Sequence, residues 1–118
     1  MTERTDRELL ELAARAAGLL VWAGQWPQDN MLFASPKKPD PSGKVTGVEW
    51  NPLTDDGDAL RLAVKLNMRL VITGEVGITD VTTAEGKWLF GGEPHFPDPY
   101  AATRRAIVRA AAELGAKT

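Results

Sequence analysis

The chain contains no cysteine, and this absence removes disulfides, thiolate nucleophiles and Cys-ligated zinc together. Histidine occurs once, at His95 in Glu93-Pro94-His95-Phe96-Pro97. No Ser/His/Asp arrangement can be assembled around it, and zinc needs several more strong ligands. A loop histidine without catalytic duty is the expected reading. No apolar run approaches the roughly 18–20 residues that span a bilayer. The opening stretch Thr2-Glu3-Arg4-Thr5-Asp6 is charged where a secretion signal is apolar. No membrane partner is expected, and the location expected is cytoplasmic. Neither sign of charge dominates: Lys and Arg total 14 against 16 acids, for a net charge of −2. Overall electrostatics therefore favour neither nucleic acid nor an anionic membrane.

What is present describes a globular domain. At 118 residues, 43% apolar and 25% charged, the chain has the size of one domain and enough apolar surface for a core. It shows no internal repeat and no linker long enough to divide it, so residues 1–118 are read as one unit.

Thr5-Asp6-Arg7-Glu8 is a capping box, and Leu9, Leu12, Ala13 and Ala16 recur behind it at helical spacing. A helix over 5–17 follows, closed by Gly18. Leu19–Trp22 and Met31–Ala34 read as strands. Pro36–Gly43 holds three prolines and no apolar residue, so it reads as a loop. Lys44–Trp50 returns as a strand. A helix over 55–67 is apolar around more than half its circumference, through Ala59, Leu60, Leu62, Ala63, Val64 and Leu66, and so is expected at the centre of the fold. Arg69–Thr73, Ile78–Thr83 and Lys87–Phe90 are strands, the last ended by Gly91-Gly92. Asp98 as cap and Pro99 at the first turn open a helix that runs to about Leu114, ahead of Gly115. The order is α-β-β-β-α-β-β-β-α. Short gaps between neighbouring strands favour antiparallel pairing. The expected class is α+β: a sandwich of about three helices against a mainly antiparallel sheet.

Chemistry has few places to reside. Asp55, Asp56 and Asp58 put three carboxylates in four residues, a set that could serve a hard cation. An EF-hand reading fails, because the bidentate Glu that such a loop needs would fall on Leu66. Carboxylates in the first turn of a helix also satisfy orphan amides and oppose the macrodipole. A structural role is expected for all three, with no metal. Arg104 sits at the edge of the apolar face of its helix, where an unpaired guanidinium is costly. A bridge from Arg104 to one of the three aspartates, fixing how the second and third helices meet, is the expected solution. Arg105 and Arg109 lie one turn apart on the opposite face, which reads as solvated and is a candidate binding surface. Of the tryptophans, Trp22 and Trp88 fall in strand patterns and are expected in the core. Trp26 and Trp50 flank loops, as lids over the core ends or as binding anchors.

Trp50 to Leu66 and Ala101 to Ala111, with the first helix ahead of them, together resemble the small ABA sandwich domain of tailed-phage and prophage proteins. The resemblance spans roughly Arg7 to Ala116. It implies an α/β sandwich and an accessory protein acting in the host cytoplasm, and it brings no activity, cofactor or catalytic residue with it. The first expectation is thus a non-enzymatic domain that binds a macromolecule, a host or phage protein, through Arg105, Arg109, Trp26 and Trp50. A second is nucleic-acid binding by the Arg-bearing helix, aided by Lys37 and Lys38. A third is a small metal-dependent hydrolase using Asp55, Asp56 and Asp58.

Overall fold

Thr5 starts the first helix by the reciprocal bonding its spacing to Glu8 predicts. The Thr5 hydroxyl accepts from the Glu8 amide at 3.1 Å, and the Glu8 carboxylate accepts from the Thr5 amide at 3.3 Å. The computed structural model describes residues 4–23, 32–36 and 48–117. Within them α1 (Asp6–Ala17) ends at Gly18, whose φ of 73° is the left-handed value a glycine adopts without penalty. β1 (Leu19–Ala23), β2 (Leu32–Pro36) and β3 (Val48–Glu49) form one antiparallel sheet in that order. α2 (Asp56–Lys65) follows, and Asn67, at φ 52°, turns the chain into the next strand. β4 (Met68–Thr73), β5 (Ile78–Thr83) and β6 (Trp88–Pro94) form a second antiparallel sheet, again in chain order. α3 (Pro99–Ala116) closes the fold. The class is α+β with the order α-β-β-β-α-β-β-β-α, and its six strands lie in two three-stranded sheets.

α3 is the hub. Its buried residues are mostly alanines, and they cover two directions. Val108, Ala111 and Ala112 join Leu9, Leu10, Ala13 and Ala14 of α1 in the main core, while Ala106 and Ala110 close over Val81 of β5. Small side chains let backbones approach, so one helix can be covered on both sides within a thin domain. The approach is tightest at Gly115, where an added Cβ would overlap the Leu12 carbonyl oxygen and stand 2.7 Å from its carbon. This explains why α3 does not stop at Leu114 as the sequence suggests. Gly115 lies inside the helix because α1 leaves no room there for a side chain.

α2, expected at the centre, lies at the flank instead. It buries Ala59, Leu62 and Ala63, yet leaves Leu60 61% and Val64 67% exposed. The wide apolar arc states what the helix could bury. The place itself goes to α3, whose alanines pack more closely. β6 likewise runs beyond Phe90, through Gly91 and Gly92 to Pro94. Shifts in its register with β5 absorb the irregularity, and the Asp80 carboxylate accepts from the Gly92 amide. Trp22 and Trp88 are not core residues. In β1, Leu19 and Val21 face inward, so Leu20 and Trp22 face out, and Trp22 stacks on its cross-strand partner Phe33 at 6.4 Å. Trp88 is 65% exposed.

Candidate functional site

The three aspartates are all engaged. Asp55 caps α2 by accepting from the Asp58 amide at 2.8 Å. Asp58 accepts from the Asn51 amide at 2.9 Å and from Arg61 at 2.8 Å. Asp56 accepts from Arg104 at 2.6 Å. Asp55 and Asp58 do border a polar hollow of about 390 Å3, together with Glu49. Arg61 sits between them, 2.8 Å from Asp58 and 3.8 Å from Asp55, and supplies the cation there. Among the described residues, no group of three or more His, Asp or Glu is placed to hold a metal ion.

Arg104 joins α3 to the start of α2. Its Nε donates to the Leu53 carbonyl at 2.9 Å while its other arm takes Asp56. The Arg104 side chain is only 17% exposed, so these partners supply what burial removes.

Arg105 and Arg109 do not form a solvated face. Arg105 lies 3.1 Å from Asp6 of α1 and 4.0 Å from Glu93, and Arg109 lies 3.7 Å from Glu93 and over the Phe90 ring at 5.2 Å. The Glu93 side chain is 11% exposed. A carboxylate so enclosed needs cations beside it, which turns this side of α3 inward onto β6. With β6 expected to end at Phe90, the sequence places Glu93 in a loop, where it gives no such signal. Trp50, expected as a lid or a binding anchor, is a core residue that also lines a hollow between α1, α2 and the first sheet. It is 6% exposed and packs in the main core, its amide donating to the Leu32 carbonyl at 2.8 Å. Trp26, Lys37 and Lys38 lie outside the described residues.

His95 is buried where a loop histidine was expected. Its Nε2 shares a 2.7 Å hydrogen bond with the Thr79 hydroxyl, which shares another of 3.0 Å with the Thr103 hydroxyl. This chain ties the end of β6 to β5 and to α3. Thr79 and Thr103 carried no sequence signal, since threonine is ordinary in a strand and in a helix.

Above that chain opens an apolar groove of about 390 Å3 between α2, β4 and the start of α3. Leu60, Leu70, Ile72, Tyr100 and Ile107 form its walls, and Thr103, His95 and the Arg104–Asp56 pair are the polar residues of its lining. Three of those wall residues are held out to solvent: Leu60 at 61%, Ile72 at 57% and Tyr100 at 72%. A second hollow, of about 510 Å3, lies between α1, α2 and the first sheet. Among the described residues, no helix is long and apolar enough to cross a membrane. Compared with family models, characterised proteins and solved structures, the chain matches none.

Proposed function

We propose that this chain is a non-enzymatic binding domain that holds a partner protein in the groove between α2, β4 and α3. The observation that carries the reading is the convergence of Leu60, Ile72 and Tyr100, large apolar side chains from three elements, on one open groove. Isolated apolar residues on a surface are ordinary. Several lining one concavity mark an interaction site. A protein partner fits better than nucleic acid, because Arg105 and Arg109 are spent on Glu93, Asp6 and Phe90. Phosphates need unengaged cations. A hydrolase reading finds its carboxylates occupied by amides and arginines. The accessory role in a phage or prophage, with a partner met in the host cytoplasm, belongs to the same proposal and rests on the resemblance of the α2 and α3 stretches.

The test is capture of partners from host lysate by the tagged protein, with and without nuclease, for the parent and for Leu60→Glu. Leu60 is exposed, so Leu60→Glu is expected to keep the melting temperature within a degree or two. Capture should survive nuclease and be lost in the variant. Equal capture by parent and variant overturns the groove as the binding surface, and capture abolished by nuclease replaces protein with nucleic acid.

A further inference from the structure

We propose that the groove receives a glutamine side chain of the partner protein, its carboxamide hydrogen-bonded to Nδ1 of His95. This deepens the groove reading and rests on it. His95 is only 9% exposed, and its amide donates to the Gly77 carbonyl at 2.8 Å, which fixes its backbone. Its Nε2 is committed to the Thr79 hydroxyl at 2.7 Å. Among the described residues, Nδ1 has no hydrogen bond, yet no buried side-chain nitrogen or oxygen lacks a partner. Nδ1 therefore meets solvent, and His95 stands in the lining of the groove. A polar atom among apolar walls is what orients a ligand in such a cleft.

What that atom offers depends on the chain behind it. A neutral imidazole carries its proton on one nitrogen. Thr79 is fully buried, so its hydroxyl proton must go to one of its two neighbours, His95 or Thr103. If Thr79 donates to Thr103, Nε2 carries the ring proton and Nδ1 accepts. If Thr79 donates to Nε2, the Thr103 hydroxyl donates to Thr79 and Nδ1 carries its proton outward. The two orders exchange acceptor for donor at Nδ1. A carboxamide holds an acceptor and a donor on one carbon and meets either order by turning over. A carboxylate only accepts, and an ammonium only donates.

Charge and reach narrow the choice further. The charged residues of the lining are Arg104 and Asp56, and they are paired with each other at 2.6 Å. An ionised group brought between these walls would lose water and find no counter-charge left for it. A neutral group fits. Leu60, Ile72 and Tyr100 stand around it, so the group must arrive on an apolar stem. Glutamine carries its carboxamide on two methylenes, whereas the hydroxyls of serine and threonine sit on the first side-chain carbon.

The probes are three capped tripeptides, Leu-X-Leu with glutamine, norleucine or glutamate at the centre, titrated into the isotope-labelled protein. The glutamine peptide should bind about three- to tenfold more tightly than the norleucine peptide, the worth of one net hydrogen bond. It should exceed the glutamate peptide by at least as much, because glutamate brings an unpaired charge. On binding, the nitrogen resonance of His95 Nδ1 should move further than that of Nε2, a response that a merely structural histidine would not give. His95→Gln sets an amide N–H near the place of Nε2, which keeps a bond to Thr79 and removes Nδ1. That variant should bind the glutamine and norleucine peptides equally. If it does not fold, the Nδ1 resonance of the parent protein decides alone. No binding of the glutamine peptide at millimolar concentration, a preference for norleucine or glutamate, an unmoved Nδ1 resonance, or a folded His95→Gln that still prefers glutamine overturns the proposal. Loss of lysate capture in Leu60→Glu with any of these results leaves the groove standing and removes only the glutamine. Retained capture removes the groove itself.

Discussion

Replacing Gly115 with alanine sets two effects of known size against each other. In the interior of a helix, Gly→Ala stabilises by about 1 kcal/mol. Here the new methyl would overlap the Leu12 carbonyl oxygen and stand 2.7 Å from the carbon behind it, where an unstrained contact needs roughly 3.5–4.0 Å. The obstacle is backbone, so no rotamer change relieves it, and α1 must retreat by about 1 Å. A gap of that size forfeits a quarter to a half of the dispersion contact across it. The affected layer is Leu9, Ala13, Val108, Ala111 and Ala112, the centre of the main core. Overpacking of this kind costs about 1–3 kcal/mol or more, and the upper end applies because two rigid helices share the strain. The net loss expected is about 2 kcal/mol, or a melting temperature lower by about 8 °C for a domain of this size. Gly57→Ala is the control. Its methyl would meet the tip of the flexible Arg61 side chain at 3.1 Å and the capping Asp55 carboxylate at 3.2 Å, side chains that can give where backbone cannot, so that variant should stay within about 1 kcal/mol of the parent. Urea unfolding with an unchanged slope measures both. A Gly115→Ala protein as stable as the parent refutes the close approach of α1 and α3, and with it the central place given to α3.

Three further outcomes follow from the partners described. Arg104→Ala should cost about 2–3 kcal/mol, chiefly through the charge-assisted bond to the Leu53 carbonyl, since Asp56 is 78% exposed and its ion pair adds little. Arg105→Ala should cost less than about 1 kcal/mol, so equal urea midpoints for the two remove the assignment. Thr79→Val keeps the shape but strips the shared hydroxyl from His95 and Thr103, and should cost about 1–3 kcal/mol; Thr79→Ser should restore most of it. Trp50→Ala should cost about 3–5 kcal/mol, while Trp88→Ser leaves the melt nearly unchanged, which differential scanning calorimetry can separate.

Elements defined by local chemistry were legible in the sequence. The capping box at Thr5, the Asp55 and Asp98 caps and the short gaps between strands each act within a few residues, and they determine the element order and the antiparallel class. The departures begin where an element depends on something distant. Gly115 reads as a helix stop because glycine ends helices, and only the Leu12 carbonyl from α1 gives it a different reason to be there. Gly91-Gly92 reads as a break because the Asp80 carboxylate that steadies it comes from another strand. That one boundary then hid Glu93, and without Glu93 the arginines of α3 had no visible reason to turn inward.

The groove was hidden for a related reason, and its signal was nevertheless present in α2. Leu60 and Val64 widen the apolar arc of that helix beyond what a flank position needs, which is why the sequence pointed to the centre of the fold. Periodicity records which side chains call for cover but not whether the chain itself supplies it. In this fold α3 fills the central place with alanines, and Leu60, one of the two apolar residues that α2 leaves exposed, faces Ile72 and Tyr100 across an open cleft. A strongly apolar helix that its own fold leaves half uncovered departs from the consistency between levels that stable domains show, and such departures gather at sites of function. The failed placement of α2 and the proposed binding surface therefore have one physical origin: more apolar surface on α2 than the other described residues bury.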